Sequence, residues 1–419
     1  MGVRIRNQRQ EFRPNRGDMV CDMSKDCFYL TNGTIITPHR VLRGSGLLIE
    51  EGKIKDLFLM DSFHANEGAV VFDVNGCYIA PGFIDMHLHG GGGADVMDGT
   101  PEAFATIAEV HAKGGTTSMV PSTVTSSTKD LKKAIAAFEE ACKRKNKGSR
   151  LLGLHLEGPY FAASQKGAQD IRFIKEPARE EYLSILDSSS KILRVSAAPE
   201  LPGGLELGRE LRRRGILASI GHTDASYDEV LLAVEAGYSH VTHLYSGMSG
   251  VHRVRAYRIA GAIESGLLLD ELTVEIIADG KHLPASLLKL IYKCKGADKI
   301  ALCTDSIRAA GMPEGEFILG NPEDGHITVV DEGVAWLPDR SAFAGSIATT
   351  NLLVRNTVNL AGVSLQDAVK MATLTPATIL KIDNAKGSID TGKDADIVVF
   401  DEEINVRMTI VEGEVVYRD

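Results

Sequence analysis

Six histidine and acidic side chains each follow a short apolar run with the composition of a β-strand. They are His87, His89, Glu157, His222, His243 and Asp305. Because one residue separates His87 from His89, an extended strand places both imidazoles on one face, where they can bind a single cation. The sequence therefore predicts a metal centre to which several strands contribute.

The other ligand candidates also stand where strands are predicted to end. Glu157 precedes a Gly-Pro pair, so its carboxylate emerges at the strand terminus, free to bind one metal or to bridge two. His222 and His243 follow successive apolar strands, and neutral imidazole is the commonest protein ligand for zinc-like ions. A buried salt bridge at Glu157 and two satisfied core histidines are the structural alternatives.

Asp305 ends the apolar segment IALCTDS and is the candidate general base. A carboxylate at this place can take a proton from water and later return it to a leaving amine, whereas a helix N-cap is the alternative role. The sequence has no G-x-S-x-G elbow and no cysteine placed with a histidine partner. We therefore expect metal-assisted hydrolysis rather than nucleophilic catalysis.

Eight short apolar segments alternate with helical stretches and supply the strands that carry these residues. They begin near residues 78, 116, 150, 193, 217, 240, 273 and 300. This alternation predicts an α/β fold, a (β/α)8 TIM barrel in which the carboxyl ends of the strands meet at one site. An open doubly wound sheet is the alternative, but its G-x-G-x-x-G fingerprint is missing.

The sequence pattern at both ends of the chain is different: short strand-like segments are separated by turn residues, without helical stretches. We predict that residues 28–80 and 387–419 form one small β-sandwich domain around a barrel of residues 81–386. Residues 1–27 carry five arginines without the apolar stretch of a secretory signal, and we expect a disordered extension.

Composition excludes several classes of function. The 419-residue chain is 44% hydrophobic and 24% charged, as expected for a soluble protein, and no apolar run is long enough to span a membrane. A net charge of −10 argues against nucleic acid as a partner. Six scattered cysteines without a C-x-x-C pair favour reduced thiols and a cytoplasmic location.

The strings PGFIDMHLHG, LHLEGPY, GHT, THLY, IADGKH and CTD together resemble the amidohydrolase superfamily, and within it the N-acetylglucosamine-6-phosphate deacetylase family. The resemblance extends from about Phe28 to the C-terminus and implies the barrel with its β-sandwich. It implies Glu157, His222 and His243 as ligands of a principal divalent metal, zinc or iron. It further implies Asp305 as the catalytic acid and base, and one or two ions per subunit because the His-x-His motif is retained.

The same resemblance implies hydrolysis of N-acetyl-D-glucosamine 6-phosphate to D-glucosamine 6-phosphate and acetate by a homodimer, with phosphate contacts across the interface. The implied substrate-binding residues are Ala168, Gln169, Ser246, Gly247, Arg255 and His282. For the arginine, the spacing to IAGAI favours Arg255, and Arg253 and Arg258 are the alternatives. Two departures stand among them: Ser246-Gly247 replaces the usual Asn-Ala, and Gln169 replaces a histidine. Another N-acetylated sugar phosphate or an N-acyl amino acid therefore remains an alternative substrate, and a non-catalytic barrel that binds amino-sugar phosphates is a less favoured one.

Overall fold

The computed structural model describes residues 27–65 and 69–419. The predicted disordered extension, apart from Cys27, lies outside these residues. Within them, no helix is both long and apolar enough to cross a membrane.

The strands fall into three stretches of the chain. The first stretch holds β1 (Cys27–Ile36), β2 (Val41–Glu50), β3 (Lys53–Leu59), β4 (Val70–Asp73) and β5 (Tyr78–Pro81). The second holds β6 (Phe83–Leu88), β7 (Gly90–Gly91), β8 (Ala94–Asp95), β9 (Thr116–Thr123), β10 (Arg150–Leu151), β11 (Leu154–Glu157), β12 (Ile192–Ala197), β13 (Leu217–Ile220), β14 (Tyr238–Val241), β15 (His252–Val254), β16 (Tyr257–Ile259), β17 (Thr273–Ile276) and β18 (Ile300–Leu302). The third holds β19 (Gly315–Leu319), β20 (His326–Asp331), β21 (Val334–Trp336), β22 (Ile397–Phe400), β23 (Val406–Val411) and β24 (Glu414–Arg418).

The α-helices lie mainly between the strands of the second stretch. They are α1 (Pro101–Lys113), α2 (Thr128–Ala141), α3 (Arg179–Leu186), α4 (Gly204–Arg214), α5 (Tyr227–Ala236), α6 (Ala262–Leu268), α7 (Ala285–Lys295), α8 (Thr350–Ala361), α9 (Leu365–Met371) and α10 (Leu374–Ile379). Their ends follow local sequence chemistry. In α1, for example, the hydroxyl of Thr100 accepts the N–H of Ala103 and Pro101 occupies the first turn.

Eight parallel strands form the barrel, in the order β6-β9-β11-β12-β13-β14-β17-β18. Each is followed by one of the helices α1 to α8, so every connection is a β–α crossover. Between β18 and β6 the barrel is closed by loop backbone: the N–H of Asp305 donates to the carbonyl of His87 at 2.9 Å, and that of His89 donates to Ser306 at 2.7 Å. The predicted (β/α)8 barrel is therefore confirmed.

Strands from both chain ends share one sheet, which forms the β-rich domain. Its order is β24-β23-β22-β5-β1-β2-β3, and β4 pairs with β1. The segment predicted as a single first strand is two strands, since Tyr78–Pro81 pairs antiparallel with β22 whereas Phe83–Leu88 enters the barrel beside β9. Gly82 separates them, and a Cβ there would lie 2.2 Å from Thr117. The domain division at residue 81 stays a prediction.

Candidate metal centre and active site

The barrel brings all six candidate residues to the carboxyl end of its strands. Glu157 is the last residue of β11, and His222, His243 and Asp305 follow the ends of β13, β14 and β18 by two or three positions. His87 lies in β6 and His89 directly after it. All six are less than 9% exposed, so the barrel shields them from bulk solvent.

Glu157 is the hub of this cluster. Its Oε1 lies 3.0 Å from Nε2 of His243 and 3.5 Å from Nε2 of His222. On the other side, its Oε1 lies 3.4 Å from Nε2 of His87 and its Oε2 lies 3.3 Å from Nε2 of His89. One carboxylate thus faces two pairs of imidazoles.

Two groups of residues that could each hold a metal ion share Glu157. One comprises Glu157, His222 and His243, and the other comprises Glu157, His87 and His89. Nδ1 of His222 faces the carbonyl of Gln165 at 2.8 Å, which leaves Nε2 as the nitrogen directed at the centre. Nitrogen and carboxylate ligands without a backbone oxygen fit a zinc-like divalent cation.

Three of the six residues hold unusual backbone angles. His222, His243 and Asp305 have φ values of +47°, +25° and +47°. Non-glycine residues rarely adopt positive φ, and such strain gathers at functional sites where the surrounding fold compensates for it. Here the turn at each strand end directs the side chain over the mouth of the barrel.

The charge balance of the centre favours a cation. Burial alone would lower the pKa of His87, but the surrounding carboxylates, above all Glu157, raise it to about 9. Burial alone would raise the pKa of Glu157, but His87 and its neighbouring imidazoles hold it well below its usual range. The site therefore stabilises positive charge, which a divalent ion supplies when the imidazoles are neutral.

Asp305 lies beside His87 and His89. Its Oδ1 is 3.1 Å from Nε2 of His89 and 3.5 Å from Nε2 of His87. Although burial opposes ionisation, the positive charge of His87 and a hydrogen bond from His89 lower the pKa of Asp305. Asp305 is therefore a carboxylate at neutral pH and can accept a proton.

A cavity of about 290 Å³ opens above the centre. Its wall includes the predicted contacts Ala168, Gln169, Ser246, Gly247 and His282, together with His89, Glu157, His222, His243 and Asp305. Arg255 does not line this cavity, because it occupies the exposed turn between β15 and β16.

Two of the cavity residues are held by buried partners. Gln169 accepts the N–H of Thr125 at 2.8 Å and donates to Oε2 of Glu157 at 2.6 Å, so its amide braces the central carboxylate. His282 directs Nδ1 to Asp279 at 2.7 Å, and its ring packs against Phe343 at 4.7 Å between centroids.

Several residues of this region are absent from the sequence-based prediction. Glu275 and Arg194 form a buried ion pair beneath the centre, and Tyr245 and Phe343 line the cavity. The apolar strands β12 and β17 each contain one charged residue, which indicates a buried charge, but no local pattern pairs the two residues. No sequence pattern separates Phe343 from an ordinary loop residue.

Comparisons with known proteins agree with this arrangement. The amidohydrolase family profile matches residues 78–416. The chain is 35% identical over 370 residues to an N-acetylglucosamine-6-phosphate deacetylase of Lysinibacillus sphaericus, covering 88% of this chain and 92% of the relative. It is 34% identical over 380 residues to an N-acetylgalactosamine-6-phosphate deacetylase of Escherichia coli O157:H7, covering 89% and 98%.

Among solved structures, the N-acetylglucosamine-6-phosphate deacetylase of Pasteurella multocida superposes with a TM-score of 0.87 at 29% identity, over 94% of this chain and all of that one. The fold, the clustered ligands and the match over most of the length lead to one conclusion. The chain belongs to the amidohydrolase family.

Proposed function

We propose that this protein hydrolyses N-acetyl-D-glucosamine 6-phosphate to D-glucosamine 6-phosphate and acetate. The observation that carries the proposal is the single buried carboxylate of Glu157 facing four imidazoles, with Asp305 beside them and a sugar-sized cavity above. Relatives that span most of the chain are deacetylases of N-acetylhexosamine 6-phosphates, which supports this substrate class.

One or two divalent ions, zinc or iron, would be held at this centre. Glu157, His222 and His243 would bind the principal ion, and His87 and His89 with Glu157 would bind a second. A divalent cation in this place supplies Lewis acidity, which activates water and polarises a carbonyl oxygen. Imidazole suits zinc and iron alike, so the ligands favour neither ion.

Asp305 is the residue that moves the proton. As a carboxylate it accepts a proton from the attacking water, and as the resulting acid it donates that proton to the amide nitrogen when the C–N bond breaks. The leaving group then departs as a neutral amine rather than as an anion. Oδ1 of Asp305 lies 3.1 Å from Nε2 of His89, so the carboxylate stands beside the proposed metal ligands for both transfers.

The cavity residues would orient the sugar. His282, held by Asp279, presents its second nitrogen on the cavity side, and Ser246 offers a hydroxyl there. Gly247 lies so close to His222 that a Cβ would approach Nδ1 to 2.6 Å, so the absence of a side chain keeps this wall open. Ala168 and Gln169 would line the acetyl side.

A homodimer would bring Arg255 to the substrate phosphate. The hairpin of β15 and β16 carries Arg255 at its turn and exposes the apolar residues Val251, Val254 and Tyr257 by 58%, 53% and 76%. Exposed apolar patches often mark protein contacts. A second subunit that covers this hairpin would bury these side chains and receive Arg255 near its own cavity.

The cytoplasm is the proposed location. All five cysteines in the described part of the chain are free thiols, as in proteins of a reducing compartment.

The galacto epimer is the second candidate substrate. The sequence identity to the N-acetylgalactosamine-6-phosphate deacetylase, 34%, almost equals the 35% identity to the N-acetylglucosamine-6-phosphate deacetylase, and this favours it. The epimers differ in the orientation of one hydroxyl. Ser246 and Gly247 replace the usual Asn-Ala and so change the hydrogen-bond donors at the cavity wall that could distinguish the two.

Acetate release by purified, metal-loaded protein tests the proposal. The substrates would be N-acetylglucosamine 6-phosphate, its galactosamine epimer and unphosphorylated N-acetylglucosamine. We expect the first to give the highest kcat/KM and the last to be a poor substrate. A higher kcat/KM for the epimer would favour the second candidate, and no release from either phosphate would refute the deacetylase.

A further inference from the structure

A fully buried ion pair lies in the barrel interior, beneath the metal centre. Arg194 on β12 donates from Nη1 to Oε2 of Glu275 on β17 at 2.6 Å and from Nη2 to Oε1 at 2.7 Å. Neither side chain has any exposed surface. The other donors of Arg194 reach the carbonyl of Met86 and the hydroxyls of Ser219 and Thr242. A buried ion pair is often no more stabilising than a well-packed apolar pair, so stability alone explains it poorly.

Glu275 also contacts a residue of the metal centre. Its Oε1 lies 2.8 Å from Nδ1 of His87. Because both carboxylate oxygens accept from Arg194, Glu275 is an acceptor here, and His87 must donate its Nδ1 proton to it. In the neutral imidazole, Nε2 of His87 is then the nitrogen with a free lone pair. A carboxylate behind a histidine in this manner fixes the tautomer and the ring orientation of a metal ligand.

Nε2 of His87, the nitrogen opposite Glu275, faces His89. Nε2 of His87 lies 3.3 Å from Nε2 of His89, 3.4 Å from Oε1 of Glu157 and 3.5 Å from Oδ1 of Asp305. When both imidazoles are neutral, their Nε2 lone pairs face each other and repel unless a positive charge lies between them. A proton can supply that charge, and a divalent cation held by both nitrogens and Glu157 would replace the proton.

We propose that Glu275 and Arg194 are positioning residues that hold His87 so that a second cation binds between His87, His89 and Glu157. The inference rests on the proposed metal-dependent function but concerns metal binding only. No hydrogen bond joins Glu275 to the imidazole of His222 or His243, although the backbone N–H of His243 approaches it to 3.2 Å. Loss of Glu275 should therefore weaken the second cation far more than the first.

Two double variants test the proposal without leaving a charge buried alone. Arg194→Met with Glu275→Leu removes the ion pair and the acceptor of His87. Arg194→Met with Glu275→Gln removes the ion pair but keeps a carbonyl oxygen that can accept the Nδ1 proton. The metal-free proteins would be titrated with Zn²⁺ by calorimetry, and the bound metal counted by elemental analysis.

We expect wild type to bind two Zn²⁺ per chain. The leucine variant should bind the second ion about 10- to 100-fold more weakly, and the glutamine variant should recover most of that loss. Glu210→Gln is the matched control, because Glu210 is a buried carboxylate paired with Arg213 at 2.6 Å on the outer helix α4. It should leave two ions bound.

A single Zn²⁺ in the wild type would overturn the proposal, and so would equal second-ion affinities in the two double variants. The outcome is independent of the substrate. Two bound ions without acetate release would refute the deacetylase while leaving the role of Glu275 intact.

Discussion

Replacing Gln169 with leucine removes the brace behind the central carboxylate at nearly constant volume. The N–H of Thr125 then loses its acceptor at 2.8 Å, and Oε2 of Glu157 loses its donor at 2.6 Å. Thr125 and Glu157 are 3% and 1% exposed, so water replaces neither bond readily. An unsatisfied buried N–H costs about 1–3 kcal/mol and a lost bond to a charged group about 1.5–3 kcal/mol. The sum is an expected destabilisation of roughly 2.5–6 kcal/mol.

This change is measurable as a lower midpoint of thermal unfolding. An unfolding entropy of about 2.1 cal/mol/K per residue over the chain converts the loss to a Tm decrease of roughly 3–7 °C. The metal-free protein should be used, so that altered metal binding does not contribute. Gln366→Leu is the control, since Gln366 makes one half-buried bond, to the carbonyl of Thr37 at 3.1 Å. A Tm decrease for Gln169→Leu no larger than that of the control would refute the bracing role.

Two further predictions concern the shell around the centre. Burial lowers the pKa of His111 to about 4, so its contribution to stability is present above about pH 6.5 and is lost as the pH falls towards 4, at most roughly 3 kcal/mol. Tm measured against pH should therefore be flatter for His111→Gln than for wild type, and parallel curves would contradict this. Gly247→Ala places a Cβ 2.6 Å from Nδ1 of His222, so the affinity for Zn²⁺ should fall about 10- to 100-fold. In the control Gly296→Ala, φ is also positive but nothing lies within 4 Å of the added Cβ; equal affinity losses would exclude crowding of His222.

The strand-end residues could be predicted because barrel geometry makes position along a strand informative. His87, His89, Glu157 and Asp305 each follow an apolar run, and parallel strands bring such positions together whatever their distance in sequence. The structure places both histidines within 3.5 Å of Glu157 and of Asp305. Position along the predicted strands was therefore enough to identify most of the side chains that meet at the metal centre.

The supporting layer could not be predicted in the same way. Arg194 and Glu275 lie 81 residues apart on strands that are not neighbours, so their pairing depends on barrel closure and register rather than on any local pattern. The short hairpin around Arg255 and the sheet of β19 to β21 were not predicted either, because their strands have only three to six residues, too few for a clear period.

The boundary between β5 and β6 was missed for a local reason. Both segments are apolar and only Gly82 separates them, so the sequence reads as one long strand. The chain changes sheets there because Pro81 pairs with Ile397 of β22, a contact between residues far apart in sequence.

Turnover by Asp305→Asn, compared with wild type at equal metal content, tests the central claim most directly. Asparagine keeps the shape of the side chain but cannot accept the proton. We expect kcat for acetate release from N-acetylglucosamine 6-phosphate to fall about 10²- to 10⁴-fold while the bound metal per chain stays unchanged. Near-normal turnover by the metal-loaded variant would contradict Asp305 as the acid and base of this hydrolase.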